Sequence, residues 1–334
     1  MAKKDKSKPI DRDKVLDYIS VGLKCRQEFE PLLGDCIEEA YFENVHGKHG
    51  SVKGCFVHVL NVAKEESHIP KGVRKFKDLS ENCVFVILVN FIKKEMKCGS
   101  LTNKLIRHFE GSPAFLEEYK FEYRFKGRES YSFLRCFPIL ILQLLPKVGM
   151  ESKKELYVTF HRLLLLRKLV SFSVRIEDIT AEDVLEMQKV GRQVLEVSCL
   201  RCFSVSPTLW TFCNVAPVHC KKSIEKFGLG LGVHTMEGRE QKHQMIKKYA
   251  AQTTFQNRWA MIFRHEFIQC VTLKEEGQDL KHYYKKSKQY VPVAVDGQCK
   301  SCCLALSEGL CRICDSPQMK LLLEELSALH VKYS

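Results

Sequence analysis

The stretch Thr180-Ala-Glu-Asp-Val-Leu-Glu-Met-Gln-Lys-Val-Gly-Arg-Gln-Val-Leu-Glu-Val197 is the clearest statement of local structure in this chain. Thr180 has the hydroxyl that caps a helix start, and Glu182 and Asp183 put negative charge at the positive end of the helix dipole. The stretch reads as a helix. Outward from it, Leu101 to Phe109, Glu151 to Val170 and a long segment after Thr235 also read as helices. Near the start, Asp11 caps a helix running to about Glu30, with Val15, Ile19, Leu23 and Phe29 near helical spacing. Pro31 interrupts it, and Leu32 to Phe42 resumes as helix. Two apolar, β-branched segments, Cys55 to Ala63 and Cys83 to Ile92, are where a small sheet would form, although the second also phases as a helix into Lys93 to Met96. Glu43 to Gly54 reads as a Gly-rich and His-rich turn, and Ser206 to Pro217 as a connection with a short buried segment. The expected fold is mainly α, or α+β if that small sheet forms.

At 334 residues the chain can hold one large domain or two ordinary ones. With 45% hydrophobic and 28% charged residues it is globular rather than disordered. The formal charge of +13 favours a polyanionic partner, most often nucleic acid, or an acidic membrane surface. The longest apolar runs, Phe137 to Leu145 and Leu163 to Leu166, fall far short of the roughly 20 residues a membrane helix needs. Sixteen cysteines would suit a secreted disulfide framework, but the charged N-terminus has no apolar signal core. The thiols are therefore expected to be reduced in an intracellular compartment, the nucleus ahead of the cytoplasm, with most of them buried as small hydrophobes.

The strongest local motif is Cys299-Lys-Ser-Cys302-Cys303, followed by Cys311-Arg-Ile-Cys314. Two CxxC knuckles let each pair clasp one side of a tetrahedral Zn²⁺, and four thiolates leave no open position for catalysis. Pairing Cys299 with Cys303 is the less regular alternative. A helix should follow from Asp315 or Ser316, with Pro317 in its first turn, to about His330. The expected organisation is a basic, disordered tail over 1–10, a mainly helical domain over 11–290, and a structural four-cysteine zinc module over 291–334. Cys199, Cys202, Cys213, His219 and Cys220 have metal-binding chemistry at irregular spacing in apolar surroundings, and read better as buried structural residues.

Phe227 to Tyr249 joins a glycine-rich stretch to a helix capped by Thr235, with Glu237 and Glu240 in its first turns and His243 beyond. Glycines let the backbone pass close to a ligand or another chain. A carboxylate at a helix start can hold a divalent metal, though it more often serves the helix dipole. Gly228 to His243 resembles the segment around the last catalytic acid of RNase H-like DDE transposases, in the group that includes Kyakuja, Dileera and Zisupton elements. Thr235 stands in the Ser position, Glu237 in the Gln position, and Glu240 and His243 in theirs. Val215 to Gly228 is similar to the lead-in of that segment, and Thr180 to Val197 resembles part of the helical insertion before it. The resemblance implies that Glu240 is the third metal-binding carboxylate and His243 its neighbour. Such enzymes need two earlier acids to hold two Mg²⁺ ions. Here Asp35 and Asp78 are the only aspartates between residues 18 and 177, neither follows an apolar strand, and Glu43 is the candidate replacement. The resemblance then implies that the chain corresponds to the C-terminal part of such a protein, or to a degenerate descendant.

Beyond Glu240 the sequence is basic with interleaved aromatics, and residues 236–290 hold eleven Lys and Arg against six Asp and Glu. Lys247, Lys248, Arg258, Lys281, Lys285, Lys286 and Lys288 are the candidate phosphate contacts, since Lys and Arg neutralise the backbone of nucleic acid. Trp259, Phe263 and Phe267 recur at helical spacing and are assigned to the core. The preferred reading is a transposase-derived, zinc-containing nucleic-acid-binding protein, with DNA ahead of RNA and no independent nuclease activity. One alternative is an active Mg²⁺-dependent transposase or nuclease using Glu240. The other is a zinc-stabilised protein-interaction scaffold.

Overall fold

The computed structural model describes residues 41–70, 72–111, 121, 123, 125–200, 205–235, 237–252, 258–275 and 290–333. The chain divides into two compact units, Met1–Tyr41 and Phe42–Ser334. Of the first only Tyr41 is among the described residues, so the tail and the helices expected over residues 1–40 lie outside them.

The second unit is helical, and no strand occurs among its described residues. Ten α-helices follow one another among the described residues: α1 (Asn44–Glu65), α2 (Val84–Lys94), α3 (Gly99–Gly111), α4 (Gly127–Leu144), α5 (Met150–Ser173), α6 (Ala181–Leu200), α7 (Pro207–Phe227), α8 (Glu237–Gln252), α9 (Arg258–Glu275) and α10 (Pro317–Tyr333). No helix is long and apolar enough to cross a membrane among the described residues.

The capping chemistry read at Thr180 is present: its amide donates to Asp183 Oδ2 at 2.9 Å, and the Asp183 amide donates back to Thr180 Oγ1 at 3.2 Å. That reciprocal pair satisfies two of the donors a helix start leaves open.

The small sheet is not seen among the described residues. Cys55 to Ala63 lies inside α1 and Cys83 to Ile92 runs into α2. Burial decides against strands, because Val84, Phe85, Leu88, Val89, Phe91 and Ile92 are all buried, a spread that a helix sunk in the core satisfies. The Gly-rich turn expected at Glu43 to Gly54 is the first half of α1. Its buried face runs through Asn44, Lys48, Ser51 and Cys55, so polar residues occupy positions where a helical pattern would show apolar ones. Asn44 is buried to bond, donating through Nδ2 to Ser173 O at 2.6 Å and Leu231 O at 3.1 Å. The stretch read as a connection after Ser206 is likewise helical. Ser206 Oγ accepts from the Leu209 amide at 3.2 Å, Pro207 occupies the first turn, and Pro217 lies inside α7.

Helix α5 packs along α6 and α6 along α7, while α1 lies against α5, α7, α4 and α2. The α1–α4 contact is aromatic, with the Phe56 ring centre 5.5 Å from that of Phe133 and, just ahead of α4, 5.1 Å from that of Phe125. Helix α10 returns to pack on α5 and α6, which brings the cysteine module against the helical core.

Candidate metal centre

The four cysteines that the sequence pairs are brought together. The Sγ atoms of Cys299, Cys302, Cys311 and Cys314 all lie within 4.8 Å of one another. Thiolates about 2.3 Å from a tetrahedral zinc ion stand about 3.8 Å apart, so the cluster fits one ion. The Cys302–Cys311 separation of 3.5 Å is far too long for a disulfide. Cys302 and Cys311 are buried, Cys299 and Cys314 half-buried.

Local backbone geometry explains the gathering. The Cys299 amide donates to Leu304 O and the Leu306 amide to Gly297 O, both at 2.8 Å, which folds the first knuckle back on itself. Cys303, just after the knuckle, has a left-handed φ of 65°, the conformation that turns the chain away from the cluster. A two-residue turn then joins the knuckles: Ser307 and Leu310 exchange amide–carbonyl bonds of 2.9 and 3.0 Å around Glu308 and Gly309. Both central residues have positive φ, 54° and 79°, as a tight I′-type hairpin turn requires. In the second knuckle the Cys311 amide donates to Asp315 Oδ2 at 2.6 Å, and the Cys314 amide points at Cys311 Sγ at 3.4 Å. Ser316 Oγ accepts from the Met319 amide at 3.2 Å and caps α10.

The sulfurs interact strongly. Donation from Cys314 holds Cys302 down at about 6, burial pushes Cys311 up to about 11, and Cys314 is pushed up chiefly by its bond to Cys302. Thiolates this close repel, and a divalent cation is the group that lets all four ionise together. The arrangement can hold a metal ion such as zinc. Four protein ligands leave no position for substrate, so the chemistry on offer is structural.

The other expected site residues are more scattered. Among the described residues no second group of three or more His, Cys, Asp and Glu gathers around one point. Cys213 and Cys220 are buried in α7, where burial pushes the Cys213 thiol up to about 12. Cys199 is exposed, while Cys202 lies outside the described residues. Glu240 and His243 are on α8, but their side chains lie outside the described residues. Of the upstream acids, Glu43 is used as the cap of α1, accepting from the Val45 and His46 amides at 2.9 and 2.7 Å. Asp78 sits in a single 3-10 turn, Phe76–Asp78, and Asp35 is outside the described residues.

The glycine-rich loop serves this chain itself. Gly232 passes so close to the end of α5 that a Cβ would lie 2.3 Å from Val174 O. The Gly230 and Gly232 amides donate to Ile176 O and Arg175 O at 2.6 and 2.9 Å.

Lys247 and Lys248 are exposed on α8. Arg258 begins α9 with its side chain outside the described residues, and Lys281, Lys285, Lys286 and Lys288 lie outside them altogether. The core assignment of Trp259, Phe263 and Phe267 is corrected: they are 47%, 63% and 70% exposed, and Ile262 and Glu266 face inward instead. Two charged residues that the sequence reading passed over, Lys48 and Arg167, are fully buried. The only sequence signal for Arg167 is its place in the apolar run Leu163 to Val170.

No protein-family profile matches this chain, and neither the curated proteins nor the solved structures contain a detectable relative.

Proposed function

We propose that this chain is a zinc-stabilised helical protein that binds nucleic acid, DNA ahead of RNA, and has no nuclease activity of its own. The observation that carries the reading is the surface of α8 and α9. Lys247, Lys248, Tyr249, Trp259, Phe263, Arg264 and His265 are all exposed there, interleaving cations with aromatic faces. Cations neutralise phosphates and aromatic rings stack on unpaired bases, so these two helices carry exposed groups for both interactions. The net charge of +13 supports the same partner. The four-cysteine module supplies stability rather than chemistry, with zinc as the ion.

The lineage implied by the resemblance is that of an RNase H-like DDE transposase, restricted to the helical part that carries its last acid. Glu240 and His243 are the residues it would leave behind. A nuclease centre needs further carboxylates beside Glu240, and Glu43 already spends its oxygens on capping α1.

A second reading has its own observation. Phe267, Ile268 and Val271 extend the exposed apolar strip of α9 beyond the basic residues, which suits a protein partner. Fluorescence anisotropy with labelled single-stranded and duplex DNA separates the two. Nucleic-acid binding predicts dissociation constants of roughly micromolar at 50 mM salt, with log K falling steeply against log salt. Replacing Lys247, Lys248 and Arg264 together by Ala should weaken binding and flatten that slope by up to about 3, near one unit per lost phosphate contact. Absent or salt-insensitive binding would favour the protein-partner reading. Mg²⁺ or Mn²⁺ should leave supercoiled DNA uncut, whereas cleavage abolished by Glu240→Gln would make Glu240 and His243 an active site.

A further inference from the structure

Arg167 is only 1% exposed, and its burial needs an explanation. It sits on α5, and its guanidinium carbon lies 5.5 Å from the ring centre of Phe137 on α4. Among the described residues a single direct hydrogen bond leaves it: Nη2 donates to Ser301 O at 2.7 Å, inside the first knuckle between Cys299 and Cys302. Nε and Nη1 are buried without a hydrogen-bond partner among the described residues. Among the described residues no carboxylate forms an ion pair with it. Burial holds its pKa below the ordinary arginine value, the sulfurs of Cys303, Cys302 and Cys314 pull it back up, and Arg135, exposed at the surface, lowers it further.

A buried guanidinium held by one carbonyl is strongly unfavourable unless a negative charge faces it. A divalent ion held by four thiolates leaves two net negative charges at this place. We propose that Arg167 is the counter-charge of the metal centre, so that metal occupancy and the packing of α5 in the helical core are coupled. This inference rests on the metal-centre reading. Arg167 touches the knuckle through Ser301 and not through a sulfur, so it acts as a positioning residue. Its fork fixes the first knuckle against α5, and its charge stabilises the anionic centre. A second contact works beside it, Lys48 Nζ on α1 donating to Tyr290 Oη at 3.0 Å just before the module.

The test uses the full chain loaded with zinc, and Arg167→Met and Arg167→Lys variants. Zinc affinity is read by competition with a chromophoric chelator, and stability by urea unfolding of loaded and chelator-stripped protein. Arg167→Met should weaken zinc binding roughly 10- to 100-fold, the usual cost of losing a group that supports metal ligands from outside. It should also lower the unfolding midpoint far more in loaded than in stripped protein. Arg167→Lys, which keeps the charge and loses the fork, should recover part of the affinity, and it serves alone if the Met variant does not fold. Unchanged zinc affinity in the variants, with equal losses of stability in both forms, would overturn the inference and leave the metal centre standing. Failure of the unmodified chain to bind zinc would instead remove the metal-centre reading itself.

Discussion

At the scale of single residues, the chemistry that could be read in advance is chemistry whose partners are near in sequence. Cys299, Cys302, Cys311 and Cys314 converge because two short knuckles and a two-residue turn hold them. Asp315 completes that geometry through the Cys311 amide, so Asp315→Ala should destabilise the loaded protein by about 1 kcal/mol in urea unfolding, the scale of one hydrogen bond. Lys48 and Arg167 were not legible, because a charged residue is buried only where a remote partner awaits it: Tyr290 for one, the Ser301 carbonyl for the other. His58 is a further case. Burial first, and then the neighbouring Arg162, hold its imidazole down at about 4. Glu155 Oε2, 3.3 Å from Nε2, would pull the other way, but that carboxylate is 41% exposed and screened by water. The folded His58 therefore stays neutral while the unfolded chain takes up a proton near pH 6.5. Its contribution is intact above that pH and is lost as the pH falls toward 4, the loss reaching about 2 kcal/mol by pH 5. Urea unfolding at pH 7 and pH 5, with zinc content checked at both, should show this loss, and His58→Leu should flatten it. Equal slopes in the two proteins would refute the assignment.

At the scale of elements, the capped helix α6 was legible, whereas the starts of α1 and α7 read as a turn and a connection. Thr180 and Asp183 make the cap read from their spacing. The glycines at the start of α1 read as a turn because local propensity disfavours them in a helix, and tertiary burial overrode it. In α7, Ser206 and Pro207 read as a linker, although they are also a cap and a first-turn proline. Ser206→Ala should cost about 1 kcal/mol in urea unfolding. The crossing of α6 and α7 depends on Gly191, where a Cβ would lie 2.4 Å from Cys213 O. That neighbour is backbone, so the helices must separate to admit a side chain. Gly191→Val should cost roughly 3 kcal/mol, the upper range for overpacking, with helix content retained by circular dichroism. A variant as stable as the parent would show that α6 and α7 do not pack this closely.

At the scale of the whole molecule, composition indicated a globular chain with a strong positive charge, but it could not say which aromatics face outward. The i, i+4 spacing of Trp259, Phe263 and Phe267 marks one face of a helix whether that face is core or surface, and here Ile262 and Glu266 take the inward side. The cysteine module is tied to the helical core by Arg167 and Lys48 and by α10 lying on α5 and α6. Loss of its ion should therefore loosen more than the module itself. The most direct measurement is metal content by native mass spectrometry of the purified chain and of a Cys311→Ser variant. The account predicts one zinc ion per unmodified chain and none firmly held by the variant, together with a lowered unfolding midpoint. A metal-free chain of full stability, or undiminished zinc in a variant lacking Cys299, Cys302, Cys311 and Cys314 together, would contradict it.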